Sequence, residues 1–441
     1  MMFGLALCAG IAAGFAVHEP LAAPLGIPAA IVCAAIFVRA ARASRGKFFL
    51  VALLAALPWL EAFSLEAPAS MVRASMIGMA FSSLPVALVI TIARPLFARA
   101  TPAMAFLGAS IAGALDMLFP YTGSSIAFCP EARWWMYPRA LGAACIVGGA
   151  GWTLLVVLGC LAAGFALATR GRSSLLATAA GAFGMLAIGM SAPRPAEGPE
   201  TTVGVLQFAG DDGTPDPLVL PTLDAARIGA NVIVWPEVSL ADSPVSNASL
   251  DDQLSALARR AGVTLVAPFR RTRAGVNSVA VYGADGRRRG VAEKLHPAWQ
   301  VGEISKPGTK LDVFATEIGP LAAAICYDAY FPSVVRDLAG RGIGILTVPA
   351  DSVEPAVGRR YPAMMAVISA IESGVPVAVA ERTGTSRIVD ARGSHVALGR
   401  QGAPFALGTV RTSRSPSIYA RTNGALAWLL GVLALLFGLL G

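Results

Sequence analysis

Charged residues, histidines and paired cysteines are scarce in this 441-residue chain, and each shortage excludes a class of protein. Only 14% of the residues are charged, 55% are hydrophobic and the mean hydropathy is +0.64, which is not the composition of a soluble protein. Three histidines, and six cysteines without a C-x-x-C pair, give no zinc spacing and no disulfide framework. We therefore expect neither a metal nor a cofactor.

The net charge of +8 does not mark a nucleic-acid-binding surface. Residues 1–190 carry eleven Lys and Arg against five Asp and Glu, whereas the rest of the chain is nearly balanced, with 24 against 22. Because the basic excess lies in the most apolar part of the chain, we expect no nucleic-acid partner.

Eight apolar stretches approach the ~20 residues that a helix needs to cross a bilayer. They lie at 2–17, 21–38, 48–65, 74–93, 102–120, 140–169 and 173–191 and in the final "GALAWLLGVLALLFGLLG". The start, "MMFGLALCAG", lacks the basic segment typical of a cleaved signal peptide. The pattern predicts a membrane-embedded protein with eight transmembrane helices.

Lysine and arginine concentrate in alternate short loops. The loops at 39–47, 94–99 and 170–172 contain basic residues and no acids, whereas the loops between them mix both signs. By the positive-inside rule both termini are cytoplasmic and the long segment before the last apolar stretch is periplasmic. The predicted parts are a transmembrane bundle, a periplasmic domain and a last transmembrane helix, at 1–192, 193–422 and 423–441.

The composition changes at "SAPRPAEGPE", and the segment that follows has the pattern of an α/β domain. Short apolar strands alternate with amphipathic helices, of which 250–262 and 361–373 are examples. Two strand pairs meet at Asp285-Gly286 and Arg392-Gly393, where hairpin turns are expected. The alternation of strands and helices, with hairpins interspersed, predicts a layered α/β domain with a mixed sheet.

Three polar residues stand at the carboxyl ends of apolar strands in this segment. Glu237 ends "NVIVWPE", Lys294 ends "GVAEK" and Cys326 ends "LAAAIC". Because α/β sheets place their sites at this end of the strands, we expect the three to share one edge. Taken singly, such a cysteine is more often part of a core, and the two charged residues are common at surfaces. Together they suggest a nucleophile with a base and a cation.

Longer stretches around these residues carry a resemblance to a known family. They are "VIVWPE", "EKLHPAWQVGE", "ICYDAYFPSVVR", "AIESGVPV" and "RTGTSRIVDARG". They resemble the apolipoprotein N-acyltransferases of the nitrilase superfamily, and the resemblance covers nearly the whole chain. It implies a nitrilase-like αββα sandwich inserted between helices seven and eight of an eight-helix transmembrane bundle, in the bacterial inner membrane.

The resemblance also implies roles for individual residues. Glu237, Lys294 and Cys326 match the catalytic triad, Glu303 the second glutamate beside the lysine, and Tyr327 and Asp328 the residues that follow the nucleophile. The implied reaction moves a fatty acyl chain from a phospholipid, through a thioester on the cysteine, to the α-amino group of the diacylglyceryl-cysteine that begins a lipoprotein. The implied partners are thus a phospholipid donor and a lipoprotein acceptor.

The sequence departs from the family in stretches expected to face the substrates. "PADSVEP" at 349–355 replaces an "NDAWFG"-like stretch, Ser369 replaces the arginine of "RAIE", Asp328 replaces the glutamate of "CYE", and "LFPYTG" stands where "GFPW" is expected. The acceptor therefore stays open, as do the roles of Asp116 and Cys129. The alternatives are a membrane-tethered nitrilase-type amidase of a small amide and a nitrilase-like conjugal-transfer protein.

Overall fold

The computed structural model describes residues 20–61, 88, 90–118, 134, 136–169, 172–191, 197–207, 213–270, 275–299, 302–351, 361–400 and 402–440. The chain divides into two compact units. One contains the apolar helices before residue 192 and the last helix, and the other consists chiefly of residues 193–424.

The first unit is a bundle of apolar helices. Their bounds are Gly26–Ala41, Arg45–Glu61, Arg94–Arg99, Pro102–Leu118, Ala144–Ala168, Ser173–Met190 and Ala425–Leu440, with a 3-10 helix at Pro20–Leu25. Its core contains four phenylalanine rings with neighbouring centroids 5.2 to 6.0 Å apart, those of Phe37, Phe48, Phe97 and Phe165. Gly164 allows two helices to approach closely, because a Cβ there would lie 2.6 Å from the Ile31 carbonyl oxygen.

The prediction of eight transmembrane helices is tested only in part. Among the described residues, three helices are long and apolar enough to cross a bilayer, Ala23–Ala41, Ala144–Ala168 and Ser173–Met190. Pro102–Met117 and Ala425–Leu440 are apolar but shorter. The stretch 2–17 and most of 74–93 lie outside the described residues, as does Cys129, whereas Asp116 is buried in its apolar helix. The unit therefore contains candidate membrane helices, and their full number stays a prediction.

Within its described residues, the second unit contains two six-stranded sheets. The strands are β1 Glu197–Leu206, β2 Val232–Val234, β3 Thr264–Arg270, β4 Asn277–Tyr282, β5 Arg288–Glu293, β6 Val313–Thr316, β7 Gly319–Ala323, β8 Ile345–Ala350, β9 Val377–Glu381, β10 Arg387–Val389, β11 His395–Leu398 and β12 Phe405–Ser413. Their orders are β12-β1-β2-β3-β4-β5 and β11-β10-β9-β8-β7-β6. In each sheet three central parallel strands are flanked by antiparallel ones, so both sheets are mixed.

The two sheets pack face to face around one apolar core. On β2, Val232 and Val234 belong to the core shared with the second sheet, whereas Ile233 between them belongs to the layer beneath the helices. This is the two-residue period of a strand, and burial on both faces explains why the strand is apolar throughout.

Helices form the two outer layers of this unit. Asp216–Arg227 and Ala248–Ala261 cover the first sheet, whereas Tyr361–Ser373 contacts β9 and β10 of the second, with Pro332–Gly340 beside it and the short Ile418–Arg421 nearby. The α/β sandwich that the resemblance implied is therefore confirmed.

Local sequence signals predict some elements better than others. The helix predicted at 361–373 is confirmed, and the one predicted at 250–262 spans Ala248–Ala261 and ends at Gly262, whose φ is 67°. Both predicted hairpins are present as β4–β5 and β10–β11. β6 and β12 were not predicted from the sequence, and β7 ends at Ala323 rather than continuing to the cysteine.

Candidate active site

One edge of the sandwich collects the carboxyl ends of several strands. β2 and β3 are parallel, and β5 shares their direction because β4 reverses the chain between β3 and β5. Glu237 follows β2 and Lys294 follows β5, while Cys326 follows β7 and Asp351 follows β8 in the other sheet. The Glu237 backbone N–H donates to the Ala350 carbonyl oxygen at 3.4 Å and so joins the two sheets here. The structure thus brings the three predicted triad residues to one place.

Lys294 is buried between two carboxylates. Its side chain is 1% exposed, and Nζ lies 2.8 Å from Glu237 Oε1 and 2.6 Å from Glu303 Oε2. Burial disfavours the ammonium, but the negative charges of Glu237 and Glu303 outweigh this effect, so the pKa of Lys294 lies above its usual range. Lys294 therefore remains a cation at neutral pH.

Glu303 accepts hydrogen bonds from four groups. The donors are Lys294 Nζ at 2.6 Å, the Ser305 hydroxyl at 2.7 Å, the Ala298 backbone N–H at 2.8 Å and Asn277 Nδ2 at 3.2 Å. Burial alone would raise the pKa of Glu303. The charge of Lys294 and the hydrogen bonds from Lys294, Ala298 and Ser305 have the larger effect, so the pKa of Glu303 lies below its usual range. Glu303 is thus an ionised neighbour of the lysine.

Asn277, which the sequence analysis missed, links the two glutamates. It is buried at the start of β4, and its Nδ2 donates to Glu237 Oε1 at 2.6 Å and to Glu303 Oε1 at 3.2 Å. Its Oδ1 is buried and has no hydrogen-bond partner among the described residues. The signal that could have identified it is an amide at the first position of an otherwise apolar strand.

Cys326 occupies a strained position. Its φ is 49°, which non-glycine residues rarely adopt, and it begins the 3-10 helix Cys326–Tyr330. The Glu237 carboxylate and the Asp351 backbone N–H both act on the thiol, since the carboxylate raises its pKa and the N–H lowers it. Burial raises the pKa of the thiol well above its usual range and Glu237 raises it further, while Lys294 opposes them. The resting group is therefore a thiol, and it needs a base to become a nucleophile.

Asp328 fixes the residues that follow the lysine. Its buried carboxylate accepts from the backbone N–H groups of Leu295 at 3.1 Å and His296 at 2.8 Å, and it lies 2.9 Å from His296 Nδ1. Tyr327 packs edge-on against Phe331, with ring centroids 5.2 Å apart. In the part of the chain that the structure describes, neither Tyr327 nor Asp328 lines the pocket at the sulfur. Their positions are those of residues that support the site.

A pocket of about 300 Å³ opens beside Cys326, at the small end of the range for ligand sites. Its lining combines polar and charged groups with a few apolar residues. The polar and charged ones are Glu237, Arg270, Asn277, Lys294, Glu303, Ser305 and Asp351. Ile304, which is 94% exposed, forms part of an apolar rim. The pocket can therefore take the reacting part of a substrate next to the nucleophile.

Asp351 contributes a third carboxylate to this pocket. Its Oδ2 lies 3.2 Å from a guanidinium nitrogen of Arg382, and its Oδ1 accepts from the Thr383 hydroxyl at 3.4 Å. Burial and the negative charge of Glu237 raise the pKa of Asp351 to about 6. From the sequence, Asp351 was noted only as part of the altered stretch 349–355, of which 352–355 lie outside the described residues.

A second cavity, of about 20 Å³, also touches Cys326. Small and apolar side chains line most of it, among them those of Ala329, Val348 and Ala366. Ser369 is at its wall and donates to the Ala329 carbonyl oxygen at 3.3 Å. Such a volume holds about one water molecule. This side of the nucleophile therefore has little free space.

The family model for carbon-nitrogen hydrolases matches residues 176–411, more than half of the chain. The chain therefore belongs to the carbon-nitrogen hydrolase family, that is, to the nitrilase superfamily.

Individual relatives divide between two kinds of enzyme. The chain is 29% identical over 174 residues to an N-carbamoylputrescine amidase of Arabidopsis thaliana, a match that covers 34% of this chain and 58% of that protein. It is also 29% identical over 270 residues to an apolipoprotein N-acyltransferase of Rhizobium meliloti, with 50% of each chain covered. The chain thus spans about half the length of these curated relatives.

Solved structures with a similar chain include an amidase from a Nesterenkonia species, with 19% identity, a TM-score of 0.43 and coverage of 53% of this chain and 98% of that one. A carbon-nitrogen hydrolase from Helicobacter pylori matches with 19% identity and a TM-score of 0.41, over 52% and 94% of the two chains.

Proposed function

We propose that the protein is a membrane-bound N-acyltransferase of the bacterial inner membrane. It transfers a fatty acyl chain from a phospholipid to the α-amino group of the N-terminal diacylglyceryl-cysteine of lipoproteins, through a thioester on Cys326. The observation that carries this proposal is the convergence of Cys326, Glu237 and Lys294 in one pocket of a chain that also contains long apolar helices. We assign residues 193–422 to a periplasmic catalytic domain and the segments on either side to transmembrane helices.

In the first half-reaction the cysteine attacks the ester of the phospholipid. Glu237, which lines the same pocket as Cys326, takes the thiol proton and passes it to the departing glycerol oxygen. Lys294 stabilises the oxyanion that forms, and we assign the Tyr327 backbone N–H as a second donor. The product is an acyl thioester on Cys326.

In the second half-reaction the amine of the acceptor attacks the thioester. Water competes with the amine, so a transferase benefits from a site that excludes water and is close to lipid. Three apolar helices of membrane-spanning length support a lipid donor, because a lipid in a bilayer can present its ester while its chains stay among apolar groups.

The test is the mass of the enzyme after incubation with phospholipid. The purified wild type gains one acyl chain, and peptide mapping places it on Cys326, whereas Cys326→Ala gains none. Cys160→Ala, at a buried cysteine in a helix of the other unit, is the matched control and is acylated like the wild type. A wild type that stays unmodified contradicts the proposal.

A second candidate is a membrane-tethered amidase that hydrolyses a small amide. The relative named as an N-carbamoylputrescine amidase and the small, charged pocket favour it. With a small amide as substrate, this enzyme releases ammonia and a free acid and transfers no acyl group to a lipopeptide. Efficient transfer to a lipopeptide amine excludes this candidate.

A further inference from the structure

Asp351 is a carboxylate at the nucleophile for which the first half-reaction has no use. Asp351 and Cys326 line the same pocket, and the Asp351 backbone N–H lowers the pKa of the thiol. The side chain is 15% exposed, so a ligand in the pocket can reach it.

The pocket wall contains acceptors that the described residues leave with free hydrogen-bonding capacity. Each oxygen of Asp351 has one hydrogen bond of its own, to Arg382 or to Thr383, whereas an ionised carboxylate accepts about four. The buried Oδ1 of Asn277 has no partner in the described part of the chain, and Lys294 is already engaged by two glutamates. A ligand with several N–H donors, such as a primary ammonium, complements this wall.

The proton balance of acyl transfer to an amine calls for such a carboxylate. An α-amino group has a pKa of about 8 and therefore enters as an ammonium at neutral pH. Formation of the C–N bond and cleavage of the C–S bond remove two protons from this nitrogen. Glu237 passes one of them to the departing sulfur, and the other needs a separate acceptor.

We propose that Asp351 binds the ammonium group of the acyl acceptor and takes one of these two protons before the attack, so that the amine attacks the thioester in its neutral form. The inference rests on the proposed function and specifies how the acceptor end of that reaction is recognised. Asp351 is then a catalytic residue of the second half-reaction alone.

The electrostatic surroundings suit this role. Burial and Glu237 raise the pKa of Asp351 to about 6, so proton transfer from an amine is less unfavourable than to an ordinary aspartate. Among the residues that the structure describes, the charged and titratable groups that face Asp351 are Glu237, Arg270, Lys294, Cys326 and Arg382.

The experiment separates the two half-reactions. Wild type, Asp351→Asn and the exposed control Asp252→Asn are first incubated with phospholipid, and we expect the same extent of thioester on Cys326 in all three. A lipopeptide with a free α-amine is then added, and Asp351→Asn transfers the acyl chain about 10²-fold more slowly than the other two. Between about pH 6.5 and about pH 7.5 the wild-type transfer rate changes little, whereas the Asp351→Asn rate rises about tenfold, with the neutral fraction of the amine.

A second nucleophile distinguishes catalysis from a structural effect. Hydroxylamine is uncharged at neutral pH and loses only one proton, which Glu237 passes to the departing sulfur, so it releases the acyl group from wild type and Asp351→Asn at equal rates. Equal transfer to the lipopeptide by both proteins, or equal slowing with both nucleophiles, overturns the inference. Absence of thioester from Asp351→Asn alone also overturns it, while absence from the wild type contradicts the proposed function itself.

Asp351→Glu provides a test that does not depend on the asparagine variant folding. It keeps a carboxylate one methylene farther along, so we expect a slower transfer that still changes little between about pH 6.5 and about pH 7.5. A rate that instead follows the neutral fraction of the amine contradicts the assignment.

Discussion

Lys294 shows how strongly this site depends on pairing. An ammonium that is 1% exposed is tolerated because two carboxylates lie within 2.8 Å of it. Removing one member of such a cluster leaves the others buried without a counter-charge, so the residues proposed for catalysis are also residues on which folding depends.

We predict that Lys294→Met lowers the free energy of unfolding by about 3–5 kcal/mol, because Glu237 and Glu303 then lose their common cation. Lys310→Met is the control, since Lys310 is 65% exposed in its pair with Asp312 and changes stability by less than about 0.5 kcal/mol. Denaturant titration in detergent measures both. Equal losses in the two variants contradict the prediction.

Asp351 gives a prediction on the pH dependence of stability. Its folded-state pKa of about 6 lies above the ordinary value, so its contribution to stability is complete below the unfolded-state pKa and is lost as the pH rises through 6. Above pH 6 the folded protein holds Asp351 as an ionised carboxylate that burial and Glu237 disfavour. Asp351→Asn removes this unfavourable charge, so the variant is more stable than the wild type at about pH 7.5, by roughly 1–3 kcal/mol.

The gain of Asp351→Asn disappears below about pH 4, where the wild-type carboxyl is protonated in both states. Thermal unfolding at a series of pH values tests this dependence. A difference between the two proteins that does not change with pH refutes it.

At the scale of elements, the sequence predicts those helices, strands and turns whose signals are local in the chain. Gly262 ends a helix and Asp285-Gly286 turns a hairpin through properties of their own residues. β12 escapes such analysis because its partner is β1, with Val203 opposite Gly408 some two hundred residues later. The three strand-end residues were predictable, and Asp351 has the same kind of position after β8. Asn277 instead begins a strand, and it matters through its contacts with Glu237 and Glu303 from other segments of the chain.

The 3-10 helix of Cys326 and the segment after Lys294 form one further pair of elements, joined by Asp328. We predict that Asp328→Ala slows thioester formation at least tenfold and costs about 1–3 kcal/mol of stability, because two partly buried N–H groups lose their acceptor. Asp328→Asn retains one carbonyl oxygen and loses less of both.

Acylation kinetics and denaturant titration measure these effects for the two Asp328 variants. If Asp328→Ala forms the thioester at the wild-type rate, the side chain does not position the site. The control is Asp390→Ala, which removes an acceptor of similar backbone N–H bonds in the β10–β11 turn and leaves the thioester rate unchanged.

At the scale of the whole molecule, the chain combines a carbon-nitrogen hydrolase domain with apolar segments that lie mostly outside the range matched by the family model. The matched range 176–411 excludes the helices up to Ala168 and the last helix, Ala425–Leu440. Family membership therefore accounts for the sandwich, while the membrane part has to be tested separately.

We predict that the protein stays with bacterial membranes after an alkaline carbonate wash, because the proposed arrangement embeds its long apolar helices in lipid. In spheroplasts, added protease degrades residues 197–424 but spares a tag fused after Gly441. Loss of the tag before the domain contradicts the proposed orientation, and a periplasmic and a cytoplasmic marker protein serve as controls.

The two glutamates at Lys294 differ in one respect that bears on repeated turnover. Glu303 accepts hydrogen bonds from an ammonium, an amide, a hydroxyl and a backbone N–H. Glu237 pairs with the same ammonium and lines the pocket that contains the sulfur. In the proposed cycle Glu237 alternates between acid and anion while Glu303 stays negative, so the lysine is never left as a solitary ion inside the protein. The constant negative charge of Glu303 thus allows Glu237 to bind and release protons while Lys294 always keeps a counter-charge.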